Sequence, residues 1–294
     1  MNSTSHSNPL PEDGAPAVID HSGGLHWQPP EWFKNICFVL LFPSHPGNVG
    51  SAARAMRVMG FKQLRVVGPR HSNVGKQPKA IALASGALDV LENLKEYETL
   101  DEALHDIELK VAVSATGREF GPIPQTPEEM CAEIVQLSTL ATSVSEAPKI
   151  ALIFGTERTG MSIGQVQRCQ RLCSIPGTAN YQSLNLAQAV QILSYCLGRA
   201  AQLHLPSAST ESALPMTEIS NDPGEKLAND AQVTGMLDHL EKTLIQTGFL
   251  DAEQPKKLMP RLQRLFNRAM LKRSEVDILR GIYASIDKFT QSRR

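Results

Sequence analysis

Two distant apolar runs, residues 36–42 (ICFVLLF) and 150–154 (IALIF), each give way to a glycine- or asparagine-rich turn and then to a helical pattern. A strand with no polar alternation is buried on both faces, which marks a parallel sheet covered by helices. The turns that follow, in residues 43–61 and from Gly155 onward, sit where open α/β sheets hold small ligands, beyond the carboxyl ends of the strands. These two segments constrain the chain more tightly than its composition does.

The rest of the pattern extends the alternation. Residues 64–67 and 109–114 read as further strands and 172–175 as a short one. Helical spacing runs over 48–59 (with Asn48 as its N-cap and Gly60 as its stop), 79–94, 100–105, 126–140, 163–169 and 184–204. The 126–140 helix opens on Thr-Pro-Glu-Glu, a strong start signal. Strands alternating with helices imply an α/β fold with a parallel sheet. Residues 1–30, rich in Ser, Pro, Gly and His without Lys or Arg, read as a disordered arm. Trp27 and Trp32 at its end are placed to pin it. The α/β domain is expected over 31–205, a Pro/Gly/Ser/Thr linker over 206–224, and a purely helical extension over 225–294.

Composition narrows the function by exclusion. The formal net charge of −1 rules out a global basic field, so any nucleic-acid signal must be local. The five cysteines are an odd number with no C-x-x-C spacing, and they read as reduced thiols of a cytoplasmic protein. Cys169 and Cys173, four apart on an expected helix, lack the His or further Cys that a zinc site needs, so they read as structural. No apolar run reaches membrane-spanning length, and the N-terminus has no charged region followed by an apolar one, so neither a membrane span nor a secretion signal is expected.

No G-x-G-x-x-G follows the first strand and no G-x-x-x-x-G-K-[ST] occurs, which argues against the common nucleotide-binding loops. Gly47-Asn48-Val49-Gly50 can be a capped turn or an anion cradle at a helix N-terminus. Arg54 and Arg57 follow on that helix. Arg54 stands among Ala and Met residues, and a guanidinium there is placed to reach a phosphate or ribose at the strand ends. Gly155-Thr156-Glu157-Arg158-Thr159-Gly160 brackets charged residues with two glycines, allowing close backbone approach. Tyr181, Ser183 and Asn185 precede a strongly apolar helix. One of Ser183 and Asn185 is explained as its cap, but not all three residues together.

Taken together, these segments resemble the three motifs of the SPOUT superfamily, in its TrmH-like branch of RNA ribose 2′-O-methyltransferases. The first, N-x-G-x-x-x-R, is Asn48, Gly50 and Arg54. The second, F-G-x-E-x-x-G, is Phe154, Gly155, Glu157 and Gly160. The third is Ile175-Pro176 with Ser183-Leu184-Asn185-Leu186-Ala187. Met161 stands where such enzymes commonly carry Leu. Residues 239–249 and 261–288 resemble the helical tail of a bacterial group within this branch that methylates the ribose of nucleotide 32 in the tRNA anticodon loop. The resemblance covers about residues 35–288.

The resemblance implies a parallel sheet with a deep trefoil knot toward its C-terminal end and S-adenosylmethionine as methyl donor. It places the cofactor on Val113, Ser114 and Ala115, on Gly155, on Ile175, and on Ser183, Leu184 and Asn185. It makes Arg54 the central catalytic group. Because Arg stays protonated, we expect it to bind the phosphate beside the target ribose and to stabilise the developing oxyanion, with Asn48, Glu157 and Ser183 positioning ribose or guanidinium. It implies a homodimer, for which the apolar helix 184–204 is a candidate face, ordinary core packing being the other reading. The tail carries the local basic signal. Between Lys256 and Arg273 there are seven basic residues and no Asp or Glu. Arg261, Arg264 and Arg268 form a stripe beside Leu258, Leu262, Leu265, Phe266 and Ala269. Together with Arg57, that stripe is the expected tRNA contact, on the anticodon stem-loop. The alternatives are a ribosomal RNA ribose methyltransferase of the same branch and a catalytically silent RNA-binding relative.

Overall fold

The computed structural model describes residues 18–19, 25–180, 182–204 and 226–292. The expected 206–224 linker, Tyr181 and most of the 1–30 arm lie outside them. Near the start, β1 (Val18–Ile19) pairs antiparallel with β2 (Leu25–His26). Trp27 packs edge-on against Phe33 and covers Gly198, while Trp32 is buried, so both tryptophans tie this end to the body.

The body is built on β3 (Ile36–Leu41), α1 (Pro46–Val58), β4 (Gln63–Val67), α2 (Pro78–Ala84), α3 (Leu88–Glu92), β5 (Lys95–Tyr97), α4 (Leu100–Leu104), β6 (Leu109–Val113), β7 (Pro124–Gln125), α5 (Pro127–Thr139), β8 (Ile150–Phe154), α6 (Ile163–Gln167), β9 (Arg171–Cys173) and α7 (Leu186–Leu203). Seven strands form one sheet in the order β5-β4-β3-β8-β6-β9-β7, and every pair is parallel. The late strands enter gaps between early ones: β8 lies between β3 and β6, and β9 between β6 and β7.

The apolar runs are buried on both faces for a period-two reason. Ile36, Phe38 and Leu40 join Phe154, Val66 and the inner faces of α1, α5 and α7 on one side. Cys37, Val39 and Leu41 join Ile153, Leu104 and Val166 on the other. Burial pushes the thiols of Cys37, Cys169 and Cys173 up to about 12, as expected of unreactive core cysteines.

Several local expectations are revised. The α1 helix begins at Pro46, with His45 as N-cap, so Asn48 sits inside the first turn. Proline suits that first position because its missing N–H would have had no partner. The expected 79–94 helix is two helices, broken where Ser85 takes φ 51° ahead of Gly86. Cys169 follows α6 in a turn and Cys173 lies on β9, with their side chains in different cores, so the two do not share a helix. The short edge strands β5 and β7 have too few residues to show a period.

The tail forms α8 (Asp230–Gln246), α9 (Leu258–Ala269) and α10 (Arg273–Gln291) around Val233, Met236, Leu240, Val276 and Tyr283. It is bolted to the sheet by a buried ion pair. Lys110, the second residue of β6, donates to Asp230 at 2.5 Å, and both side chains are 2% exposed. Arg168 also pairs with Asp230 and with Asp101. The backbone N–H of Asp230 donates to the Ile107 carbonyl at 2.8 Å.

Candidate active site

Strand register gathers the site. Val113 pairs with Phe154 and with Cys173, so β6, β8 and β9 end abreast. The loops that begin there carry Ser114-Ala115, Gly155-Thr156-Glu157 and Ser174-Ile175. Main-chain and hydroxyl bonds knit them: Ser114 N–H donates to the Cys173 carbonyl at 3.1 Å, and Ser174 Oγ donates to the Ala115 carbonyl at 3.1 Å. The second motif folds back on itself through a Thr156–Gly160 bridge, with Gly160 at φ 65°. A Cβ on Gly155 would stand 2.2 Å from the Gly160 carbonyl carbon and 2.4 Å from the Met161 nitrogen. Only glycine fits there.

A chain of side chains joins all three motifs. Asn48 Nδ2 donates to Glu157 Oε1 at 3.1 Å, and Asn185 Nδ2 donates to Asn48 Oδ1 at 3.2 Å. The Ser44 N–H donates to both Glu157 oxygens at 3.1 Å. Burial pushes the Glu157 carboxyl up. The bonds from Asn48 and from the backbone N–H groups of Glu157, Ser44 and His45 outweigh it and hold the carboxyl below its ordinary value. Glu157 is thus an ionised brace for the first motif. Asn185 also caps α7, accepting from Ala187 N–H at 2.9 Å and forming a capping box with Gln188. Asn185, not Ser183, is therefore the cap, and its spare amide reaches Asn48.

The other expected site residues fall as follows. Arg54 is exposed on α1, and Ser183 and Leu184 are exposed ahead of α7. Among the described residues neither Arg54 nor Ser183 has a hydrogen-bond or ion-pair partner. Arg54 is more open than its Ala- and Met-rich neighbours suggest. Arg57 is committed to Asp89 on α3, at 2.8 Å. Arg261, Arg264 and Arg268 are all exposed on α9, and Arg261 also lies over the Phe120 ring at 5.5 Å, beside Lys257 at 5.3 Å. The tail's first basic residues therefore grip the loop that leaves β6. Leu262 and Phe266 pack into the tail core as the apolar stripe requires, whereas Leu265 is left exposed.

Beside Asn48 and Asn185 opens a cleft of about 650 Å³ lined by His45, Gly47, His71, Gln77, Lys79 and Leu83. Sequence reasoning missed this wall. His71 and Lys79 carry no motif spacing, and they meet His45 only because α1, α2 and the β4–α2 connection converge.

Residues 35–195 match the model of the SpoU rRNA methylase family. The chain belongs to the SpoU methylase family. Residues 231–294 of this SpoU methylase match the model of the C-terminal domain of the tRNA methyltransferase TrmJ. Over 255 residues it is 41% identical to the tRNA (cytidine/uridine-2′-O-)-methyltransferase TrmJ of Klebsiella pneumoniae, covering 87% of this chain and 97% of that protein. The tRNA (cytidine/uridine/adenosine-2′-O-)-methyltransferase TrmJ of Pseudomonas aeruginosa is 37% identical, with 85% and 93% covered. Among solved structures, TrmJ from Z. mobilis superposes with a TM-score of 0.67 at 25% identity, covering 85% of this chain and 98% of that one.

Proposed function

We propose that this SpoU methylase transfers a methyl group from S-adenosylmethionine to a ribose 2′-hydroxyl of tRNA, at nucleotide 32 of the anticodon loop. The observation that carries the reading is the Glu157–Asn48–Asn185 chain, which unites three motifs from distant parts of the sequence above the abreast ends of β6, β8 and β9. The named relatives with both a SpoU body and this tail are tRNA ribose methyltransferases, which favours tRNA over ribosomal RNA.

The residues present suit the cofactor. Half-buried Val113 and Ile175 and exposed Leu184 offer apolar surface for a purine ring, and the loop main chain at Ser114-Ala115, Gly155 and Ser183–Asn185 offers donors and acceptors for its edge. When bound, S-adenosylmethionine supplies an electrophilic methyl on a sulfonium centre. The protein's part is alignment and charge. Arg54 binds the phosphate next to the target ribose and stabilises negative charge growing on the 2′-oxygen. Ser183 contacts the ribose. Asn48 and Glu157 fix the entry of α1, the helix that carries Arg54 two turns further on. The hydroxyl proton leaves to a phosphate oxygen or water, because a guanidinium holds its own proton. The insertion of β8 and β9 between earlier strands supports a knotted path around this site. Exposed Tyr195 and Leu203, on the face of α7 turned from the core, support a homodimer through that helix. No helix among the described residues is long and apolar enough to cross a membrane, in keeping with a cytoplasmic enzyme.

The test is transfer of labelled methyl to unmodified tRNA, with the product mapped by nuclease digestion and mass spectrometry. A 2′-O-methyl at nucleotide 32 is the expected result; labelling of ribosomal RNA alone would replace the substrate. Arg54→Lys should cut turnover by about 10²-fold, the scale of losing one oriented donor to a developing oxyanion. Unaltered turnover would remove Arg54 from that role.

A further inference from the structure

The cleft beside the motif chain has a chemical character that the three motifs do not account for. Its volume of about 650 Å³ lies within the ~300–1,000 Å³ typical of ligand sites. Three of its lining residues, His45, His71 and Lys79, are basic, and they come from separate segments: the entry to α1, the connection after β4, and the first turn of α2. No Asp or Glu lines it. The Glu157 carboxylate is not among the lining residues; Asn48 stands against it, and its oxygens are taken by Ser44 N–H and Asn48.

The cleft also meets the starts of two long helices. The α1 helix contributes His45, Pro46, Gly47 and Asn48, and α7 contributes its cap Asn185. Neither helix has an acidic residue in its first turn; the ionised Glu157 already holds the N–H groups at the α1 entry, so the uncompensated positive end is that of α7. One free helix N-terminus and three basic side chains around an open cleft lined by no Asp or Glu describe a site for a polyanionic chain. Apolar Leu83 and Pro78 leave one wall on which a sugar or base can lie.

Building on the reading of this protein as an RNA ribose methyltransferase, we propose that this cleft holds the phosphodiester backbone flanking the target nucleotide, with Lys79, His71 and His45 as the phosphate-binding residues. Their role is to deliver the ribose to Asn48 and Asn185. It adds flanking phosphate contacts to the phosphate and oxyanion role of Arg54, which is not among the cleft's lining residues.

All three side chains are exposed, and His45 caps α1 without a side-chain hydrogen bond, so truncating them leaves the fold intact. The experiment uses the full chain with Lys79→Ala, His71→Ala, the triple variant with His45→Ala, and Lys79→Arg. Readouts are KM and kcat on unmodified tRNA at saturating S-adenosylmethionine, direct RNA binding by fluorescence anisotropy across salt, and cofactor affinity by calorimetry. Lys79→Ala should raise KM about fivefold to tenfold and flatten the log–log salt slope by about one, as loss of one phosphate contact does. Cofactor affinity should stay unchanged, and Lys79→Arg should restore KM. A triple variant that binds RNA with the wild-type affinity and salt slope overturns the proposal. If the wild type labels ribosomal RNA and not tRNA, the substrate reading falls, and loss of affinity for ribosomal RNA in the triple variant still upholds the cleft.

Discussion

Replacing Gly155 by Ala is the sharpest test of how the second motif works. The added Cβ would lie 2.2 Å from the Gly160 carbonyl carbon, 2.4 Å from the Met161 nitrogen and 2.5 Å from the Gly160 oxygen. All three are backbone atoms, so no side chain can swing aside. Reaching ordinary van der Waals separation requires the two arms of the loop to part by roughly 1 Å. That displacement breaks the Thr156–Gly160 bridge, whose two hydrogen bonds are 3.0 and 3.1 Å, and shifts Glu157 away from Asn48 and Ser44. A misplacement of this size costs about 10²-fold in rate where catalysis depends on alignment. The strand below is fully buried and keeps its pairing, so Gly155→Ala should lower kcat/KM by about 10²-fold while the chain still melts cooperatively. Gly164→Ala on α6 is the matched control. Nothing lies within 4 Å of its Cβ, so it should leave turnover unchanged and be neutral or slightly stabilising. The measurement is steady-state methyl transfer on both variants with thermal unfolding alongside. Gly155→Ala retaining turnover within about twofold to threefold would refute the claim that loop closure sets the site.

Four further outcomes follow from other parts of the structure. Asp230→Asn leaves Lys110 charged, buried and without a carboxylate, which should cost about 3–5 kcal/mol and release α8 to hydrogen exchange; Lys110→Met with Asp230→Leu should recover most of it. Burial raises the Asp230 carboxyl, but Lys110 and Arg168 lower it more, so its net shift is downward. Its stabilisation is therefore complete above the unfolded value of about 4 and is lost as pH falls toward the folded value, and tail protection measured by hydrogen exchange should weaken in acid, below about pH 4. Asn185→Ala removes the α7 cap and the tie to Asn48, and should cost about 1 kcal/mol, read as a fall of about 2–4 °C in thermal midpoint. Arg264→Ala with Arg268→Ala should flatten the salt dependence of tRNA binding by about 0.7–0.9 per lost phosphate contact in a log–log plot, whereas Arg57→Ala, already paired with Asp89, should leave it unchanged.

Much of the body was legible in sequence because its strands are buried on both faces and therefore apolar without interruption, as in ICFVLLF and IALIF. The caps were legible where they are local: Thr126 with Glu129 closes a capping box within four residues. Asn48 suits a cap by residue type, but its side-chain hydrogen bonds go instead to Glu157 and Asn185, over 100 residues away. Lys110 shows a signal of a different kind. A lysine within the apolar strand LKVAV demands a buried counter-charge, and Asp230 supplies it from the tail. The stripe of Arg261, Arg264 and Arg268 is visible as periodicity, yet periodicity does not show that one of these exposed cations also lies over Phe120.

The sequence by itself determined the parallel α/β body, the helical tail and the residues of the three motifs, because these are written in periodicity and in short runs of fixed spacing. Tertiary structure alone decided that β8 and β9 enter between earlier strands, that Glu157, Asn48 and Asn185 share one hydrogen-bonded chain, and that His45, His71 and Lys79 face one cleft. The physical reason is the same in each case. Strand order, hydrogen bonds between distant side chains and the walls of a cleft depend on which surfaces meet once the core has closed, and no local pattern in the chain encodes that meeting.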